Sequence, residues 1–167
     1  HDQWTQTVCL ARGTADLMTF HRDSRSPVIP GPPQGGDARG FRDPFVWRDA
    51  DGWAMVIGTG TDRDGGSALL YRSSDLVTWR LVGPLLDAAG GGFAPGRYGR
   101  IWECPQFVPI GDRHVLVFSV WDDGHPSPLP YATPPLHYAI AAIGTFDGQR
   151  FAPESMQRLD EGPDFYA

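Results

Sequence analysis

Glutamate occurs only three times in this chain of 167 residues, and one of the three, Glu103, stands in the run Trp102-Glu103-Cys104-Pro105-Gln106-Phe107. Apolar neighbours make a carboxylate expensive to ionise, and carboxyls of disturbed proton affinity are the working parts of general acid–base chemistry. Aspartate is far commoner, and the ordinary place for most aspartates is a turn. Two stand out by spacing. Asp43, in Arg42-Asp43-Pro44, precedes Glu103 by almost the same interval as that by which Asp164, in Gly162-Pro163-Asp164-Phe165-Tyr166, follows it. Three carboxyls brought to one level of a shared pocket would repel one another. Such crowding keeps one of them protonated near neutrality, as a general acid beside an ionised partner.

Elements that could bring them together recur with the same period. Short apolar segments at 44–47, 53–58, 68–72 and 77–82 are separated by turn residues, among them Asp51-Gly52 and Asp64-Gly65-Gly66. The pattern returns at 103–110, 114–120, 136–143 and within 150–159, interrupted by a Pro-rich loop from Pro126 to Pro135. The beginning of the chain reads as the outer half of a similar unit, with strands at 7–11 and 18–21. Ala15-Asp16-Leu17-Met18-Thr19-Phe20 matches Ser74-Asp75-Leu76-Val77-Thr78-Trp79, and the interval from Asp16 to Asp75 is nearly that from Asp43 to Glu103. Four-stranded units repeated in this way make a β-propeller, in which the first strand of each blade lines the central channel. A β-sandwich shares the short strands. The recurring Asp-Leu-x-Thr-aromatic motif favours the propeller. With 21 Gly and 16 Pro the chain is punctuated too often for long helices.

Composition removes several alternatives. All 14 basic residues are Arg, so there is no Schiff-base, pyridoxal-phosphate or Walker-type lysine. The net charge of −6 argues against nucleic acid and anionic membranes as partners. Five scattered His and two Cys form no metal-ligand spacing and no disulfide framework. Neither a metal nor a cofactor is expected. Gly90-Gly91-Gly92-Phe93 reads as a loop bordering the pocket mouth. Trp47, Trp53, Trp79 and Trp121 are expected in the core between blades, and Trp102, beside Glu103, as a stacking platform in the pocket. Cys104 reads as a packing residue.

Arg42-Asp43-Pro44, Trp102-Glu103-Cys104-Pro105 and Asp160-Glu161-Gly162-Pro163-Asp164-Phe165-Tyr166-Ala167 together resemble three successive motifs of glycoside hydrolase family 32, the invertases, levanases, inulinases and related fructosyltransferases. The resemblance extends over essentially the whole chain. It implies an all-β fold, a five-bladed propeller, of which residues 1–167 would be an incomplete N-terminal domain: the outer part of blade two, blades three and four, and the start of blade five. No second domain is expected within these residues.

The resemblance also implies a reaction, retaining cleavage of β-fructofuranosidic bonds in sucrose or fructans through a fructosyl-enzyme, most nearly that of an invertase. By motif, Glu103 is the acid/base and Asp43 the transition-state stabiliser. Arg42, Trp102, Asp164 and Tyr166 are substrate-binding, with Arg42 gripping sugar hydroxyls or orienting Glu103. The family's nucleophile sits in an Asn-Asp-Pro motif, and this sequence contains no Asn. The nucleophile is therefore expected outside these residues, the missing remainder of the propeller is the expected partner, and the chain alone is expected to be inactive. Gln106 stands where the family commonly has Asp. Two other readings share the propeller: a non-catalytic sugar-binding module, and a related glycosidase acting on arabinose or xylose.

Overall fold

The computed structural model describes residues 5–36, 40–61, 64–89, 98–122 and 136–160, and every regular element among them is a β-strand. A small antiparallel hairpin, β1 (Ala11–Gly13) and β2 (Phe20–Arg22), is followed by two four-stranded sheets. The first is built from β3 (Arg42–Asp49), β4 (Gly52–Thr61), β5 (Gly65–Ser73) and β6 (Arg80–Asp87). The second is built from β7 (Ile101–Ile110), β8 (Arg113–Asp122), β9 (Leu136–Phe146) and β10 (Phe151–Arg158). Each is an antiparallel meander with neighbouring strands in chain order. This is the blade of a propeller, twice over.

The blades are held face to face by strand alternation. Ala54 and Val56 of β4 and Ala68 and Leu70 of β5 point toward the second sheet and pack in one core with Trp102, Leu116, Phe118, Val120, Tyr138 and Ile140. The intervening Met55, Ile57, Leu69 and Tyr71 point the other way, onto Val8, Ile29 and Phe41. Both faces of the first blade are thus covered, which is why β4 and β5 read as continuous apolar runs. Strand β7 lies across β4, with β3 and β5 on either side. At the far end of the interface Phe107 is ringed by Trp47, Phe146 and Phe151, with centroids 5.5, 5.0 and 5.3 Å away.

The expected fourth strand of the first blade, 77–82, begins instead at Arg80. The reason is Asp75, whose Oδ1 accepts hydrogen bonds from the Val77 and Thr78 amides at 2.9 and 2.7 Å and holds the chain in a turn up to Trp79. The equivalent Asp16 Oδ1 accepts from the Met18 amide at 3.1 Å, and β1 starts at Ala11 rather than Thr7. Val8 makes only an isolated bridge, to Ile29. The repeat reaches the backbone: Leu17 and Leu76, each directly following an aspartate, both adopt positive φ, 59° and 66°.

The Thr78 and Val77 amides pull the Asp75 carboxyl down to about 2. A carboxyl depressed on folding stabilises the fold above its unfolded titration range, and that contribution disappears as pH falls through the folded value. Wild type minus Asp75→Ala, measured as Tm against pH, is therefore expected to be constant above about pH 5 and to shrink steadily toward pH 2.

Candidate active site

Both acids of the two described blades sit where a first strand is bulged. In β3, Arg42 pairs with Gly58 and Phe45 with Val56, so Asp43 and Pro44 face a single partner residue. In β7, Glu103 pairs with Ser119 and Gln106 with Val117, so Cys104 and Pro105 do the same. Proline suits a bulge because it has no N–H to lose from the ladder. The residue before each proline is left-handed, Asp43 at φ 60° and Cys104 at φ 47°.

The structural equivalents are thus Asp43 with Cys104 and Arg42 with Glu103. The two carboxyls are one position out of register, although the repeating interval between them in the sequence suggests equivalence. The offset is what lets them share a site instead of stacking as like charges. The Cys104 amide, released from its ladder by the bulge, donates to Asp43 Oδ2 at 3.0 Å. The Cys104 thiol lies 3.6 Å from the same oxygen. One residue back, Glu103 Oε1 pairs with Arg42 Nη1 at 3.1 Å. Glu103 retains 13% side-chain exposure, enough for the carboxyl to reach a ligand. Arg42 also lies over the indole of Trp121, with Cζ 5.7 Å from the ring centroid.

Burial, and after it the charge of Asp43 and its hydrogen bond, push the Cys104 thiol up to about 11. At neutral pH it is a protonated donor to Asp43 and a poor nucleophile. The expectation of a packing role is thereby extended, since Cys104 holds Asp43 through two atoms. Asp43 is so held through its Oδ2. Glu103 beside it is a carboxyl whose charge is matched by a guanidinium. Together they can stabilise developing positive charge and exchange a proton with a bound oxygen.

Trp102 requires a correction. It is wholly buried, stacked on Phe118 at 4.0 Å, and its indole N–H donates to the Tyr98 carbonyl at 2.7 Å. It belongs to the inter-blade core, as Phe41, at the equivalent place just before β3, belongs to the other core. The aromatic side chain beside the acid pair is instead Trp121, expected in the core and found half-buried against Arg42. Gln106 is exposed. Asp164, Tyr166, the Gly90–Phe93 loop and the Pro-rich loop lie outside the described residues. Among the described residues no group of three His, Cys, Asp or Glu side chains is placed to hold a metal ion.

Glycines set the depth at which β7 docks. A Cβ on Gly58 would fall inside van der Waals contact of the Trp102 carbonyl and 3.3 Å from the Glu103 Cα. A Cβ on Gly60 would collide with the Arg100 carbonyl, and one on Gly66 with the Trp102 indole. Gly58 is the ladder partner of Arg42, so this close approach places Glu103 against its guanidinium. Glycine inside a strand is the signal in the sequence for such an approach.

Residues 1–167 match the family model of the glycosyl hydrolases family 32 N-terminal domain. The chain is 36% identical over 165 residues to the sucrose-6-phosphate hydrolase of Klebsiella pneumoniae, covering 98% of this chain and 33% of that protein. It is also 36% identical over 156 residues to the raffinose invertase of Escherichia coli, covering 90% and 30%. Among solved structures, a mutant of the Bombyx mori family 32 beta-fructofuranosidase in complex with sucrose superposes with a TM-score of 0.77 at 31% identity, over 95% of this chain and 32% of that one. The chain spans about a third of the length of these relatives.

Proposed function

The chain belongs to glycosyl hydrolase family 32, and from that membership and the joined pairs Arg42–Glu103 and Asp43–Cys104 we propose that it carries two of the three working carboxyls of a β-fructofuranosidase. Glu103 protonates the glycosidic oxygen as the bond breaks and then takes a proton from the incoming water. Asp43 binds fructose hydroxyls and stabilises the oxocarbenium-like centre. Arg42 orients Glu103. The nucleophile, a further Asp that forms the fructosyl-enzyme, comes from sequence outside these 167 residues. Asp164 and Tyr166 add to the substrate pocket.

Two displacements at one carbon return the original configuration, and retention requires carboxyls only roughly 5 Å apart across the bond. The substrate is a terminal β-fructofuranosyl unit, as in sucrose, whose name accompanies the Bombyx mori relative. The observation that carries this reading is the convergence of Asp43 and Glu103 through Cys104 and Arg42.

The natural polypeptide that contains the segment, given sucrose in an NMR tube, is expected to release β-fructofuranose first, before mutarotation. Initial release of the α-anomer, or turnover of arabinosides with none of fructosides, would sink the proposal. The 167 residues alone serve as the comparison, and no turnover is expected of them.

A further inference from the structure

We infer that Trp121 is a positioning residue for the acid carboxyl, its indole face holding the Arg42 guanidinium in the orientation that pairs with Glu103. The inference rests on the acid/base reading of Glu103. It starts from register. Ser119 is the ladder partner of Glu103, and Trp121 is the partner of Ile101, two positions along each strand. Alternation therefore puts Trp121 on the same face of β8 as Ser119 and turns it away from Val120 and Phe118, which fill the inter-blade core. Trp47 and Trp79 pack against the two cores, whereas Trp121 belongs to neither. Its ring meets Arg42 instead, at 5.7 Å.

Such support matters for Arg42. Its side chain is 27% exposed, and a long flexible cation of that exposure can turn its guanidinium toward water. A flat aromatic face favours the guanidinium plane that keeps its fork on Glu103. The backbone under the indole is fixed as well, since the Trp121 carbonyl accepts the Arg100 amide at 3.2 Å. Among the described residues, Arg42 from β3 is ion-paired with Glu103, Asp43 from β3 and Glu103 both act electrostatically on Cys104, and Ser119, the ladder partner opposite, does not ionise. Trp121 thus acts through Arg42, the cation of this cluster.

The test uses the natural polypeptide that contains the segment, with sucrose and with fructosyl fluoride, whose leaving group needs no proton. Trp121→Met keeps a flexible apolar side chain without an aromatic face, and Trp121→Phe keeps the face. Trp121→Met is expected to lower kcat/KM for sucrose about tenfold and for fructosyl fluoride less than about threefold, with Trp121→Phe near wild type on both. In an Arg42→Gln background Trp121→Met should add no further loss on sucrose. An equal loss on the two substrates, or a full additional loss beside Arg42→Gln, overturns the inference. Glu103→Ala on the same substrates tells the two readings apart. If it fails to discriminate between them, the acid/base assignment falls. If it discriminates and Trp121→Met does not, only the role of Trp121 falls.

Discussion

In the natural polypeptide that contains the segment, and on the function proposed above, Gly58→Ala is expected to cost both stability and turnover, although Gly58 has no side chain to act on a substrate. The added methyl meets backbone, the Trp102 carbonyl and the Glu103 Cα, and backbone cannot rotate out of the way as a side chain could. Overpacking of a filled core costs about 1–3 kcal/mol and more where nothing can yield. At roughly 2–4 °C per kcal/mol for a unit of about 150–250 residues, and less for a longer one, a loss of about 3 kcal/mol lowers Tm by at most about 6–12 °C. Relief comes from sliding β7 off β4, which carries Glu103 away from Arg42. A displacement of about 1 Å at a reacting group costs about a hundredfold in rate. Val56→Ala is the comparison. It removes volume from the same interface and destabilises by about 2 kcal/mol, but leaves the spacing of β4 and β7 alone. Below the melting range of both variants, Val56→Ala should turn over sucrose within about threefold of wild type and Gly58→Ala about a hundredfold more slowly. If both keep full activity, strand spacing is not what sets the acid in place.

The blades were legible because the repeat is written in turn chemistry. Asp16 and Asp75, each followed by a leucine of positive φ, mark the same turn in two units, and Asp-Gly at 51–52 and 147–148 closes hairpins. Spacing alone misled about register. Counting from acid to acid equates Asp43 with Glu103, but what repeats in space is the bulge and its proline, which equates Asp43 with Cys104. A bulge inserts one residue, and one residue is the difference between facing the same way and facing opposite ways. No count of acids carries that information, although Pro44 and Pro105 do.

The tryptophans show a second limit. Neighbours along a strand point to opposite faces, so Trp102 could not share the face of Glu103, and its burial follows from parity. Chemical type had suggested a sugar platform. Trp121 was hidden for the complementary reason: its place beside Arg42 depends on the pairing of β7 with β8, a contact between strands. The Cys104 amide, which grips Asp43, was equally invisible, because a backbone donor has no letter in the sequence. Gly58 could be found, since an Ile-Gly-Thr-Gly run inside an apolar strand advertises that another backbone comes close.

Glu103→Ala and Asp43→Ala are expected to fail in different ways, which separates two carboxyls that the geometry sets side by side. Without Glu103 the leaving oxygen departs unprotonated, and general acid catalysis is worth about 10² to 10⁴ in rate, so sucrose turnover should fall by that factor. Fructosyl fluoride needs no proton on its leaving group, so its first step should be nearly spared. The second step would still lack a base for water. Azide needs no base: it attacks the anomeric carbon of the fructosyl-enzyme, the enzyme carboxylate leaves, and β-fructosyl azide is released. Added azide should therefore restore turnover of fructosyl fluoride by Glu103→Ala. Asp43→Ala removes a fixed negative charge from beside the oxocarbenium-like centre, and every substrate passes through that centre in both steps. Its loss, also about 10² or more, should appear equally with sucrose and with the fluoride, and azide should not relieve it. The measurement is initial rate on both substrates with and without azide, with the products read by mass spectrometry. Rescue of Asp43→Ala by azide, with none for Glu103→Ala, would exchange the two roles. Even Asp43→Asn should be a poor substitute: its one amide oxygen can take the place of Oδ2 and accept from the Cys104 amide and thiol, but the side chain then carries no negative charge to set beside the oxocarbenium-like centre.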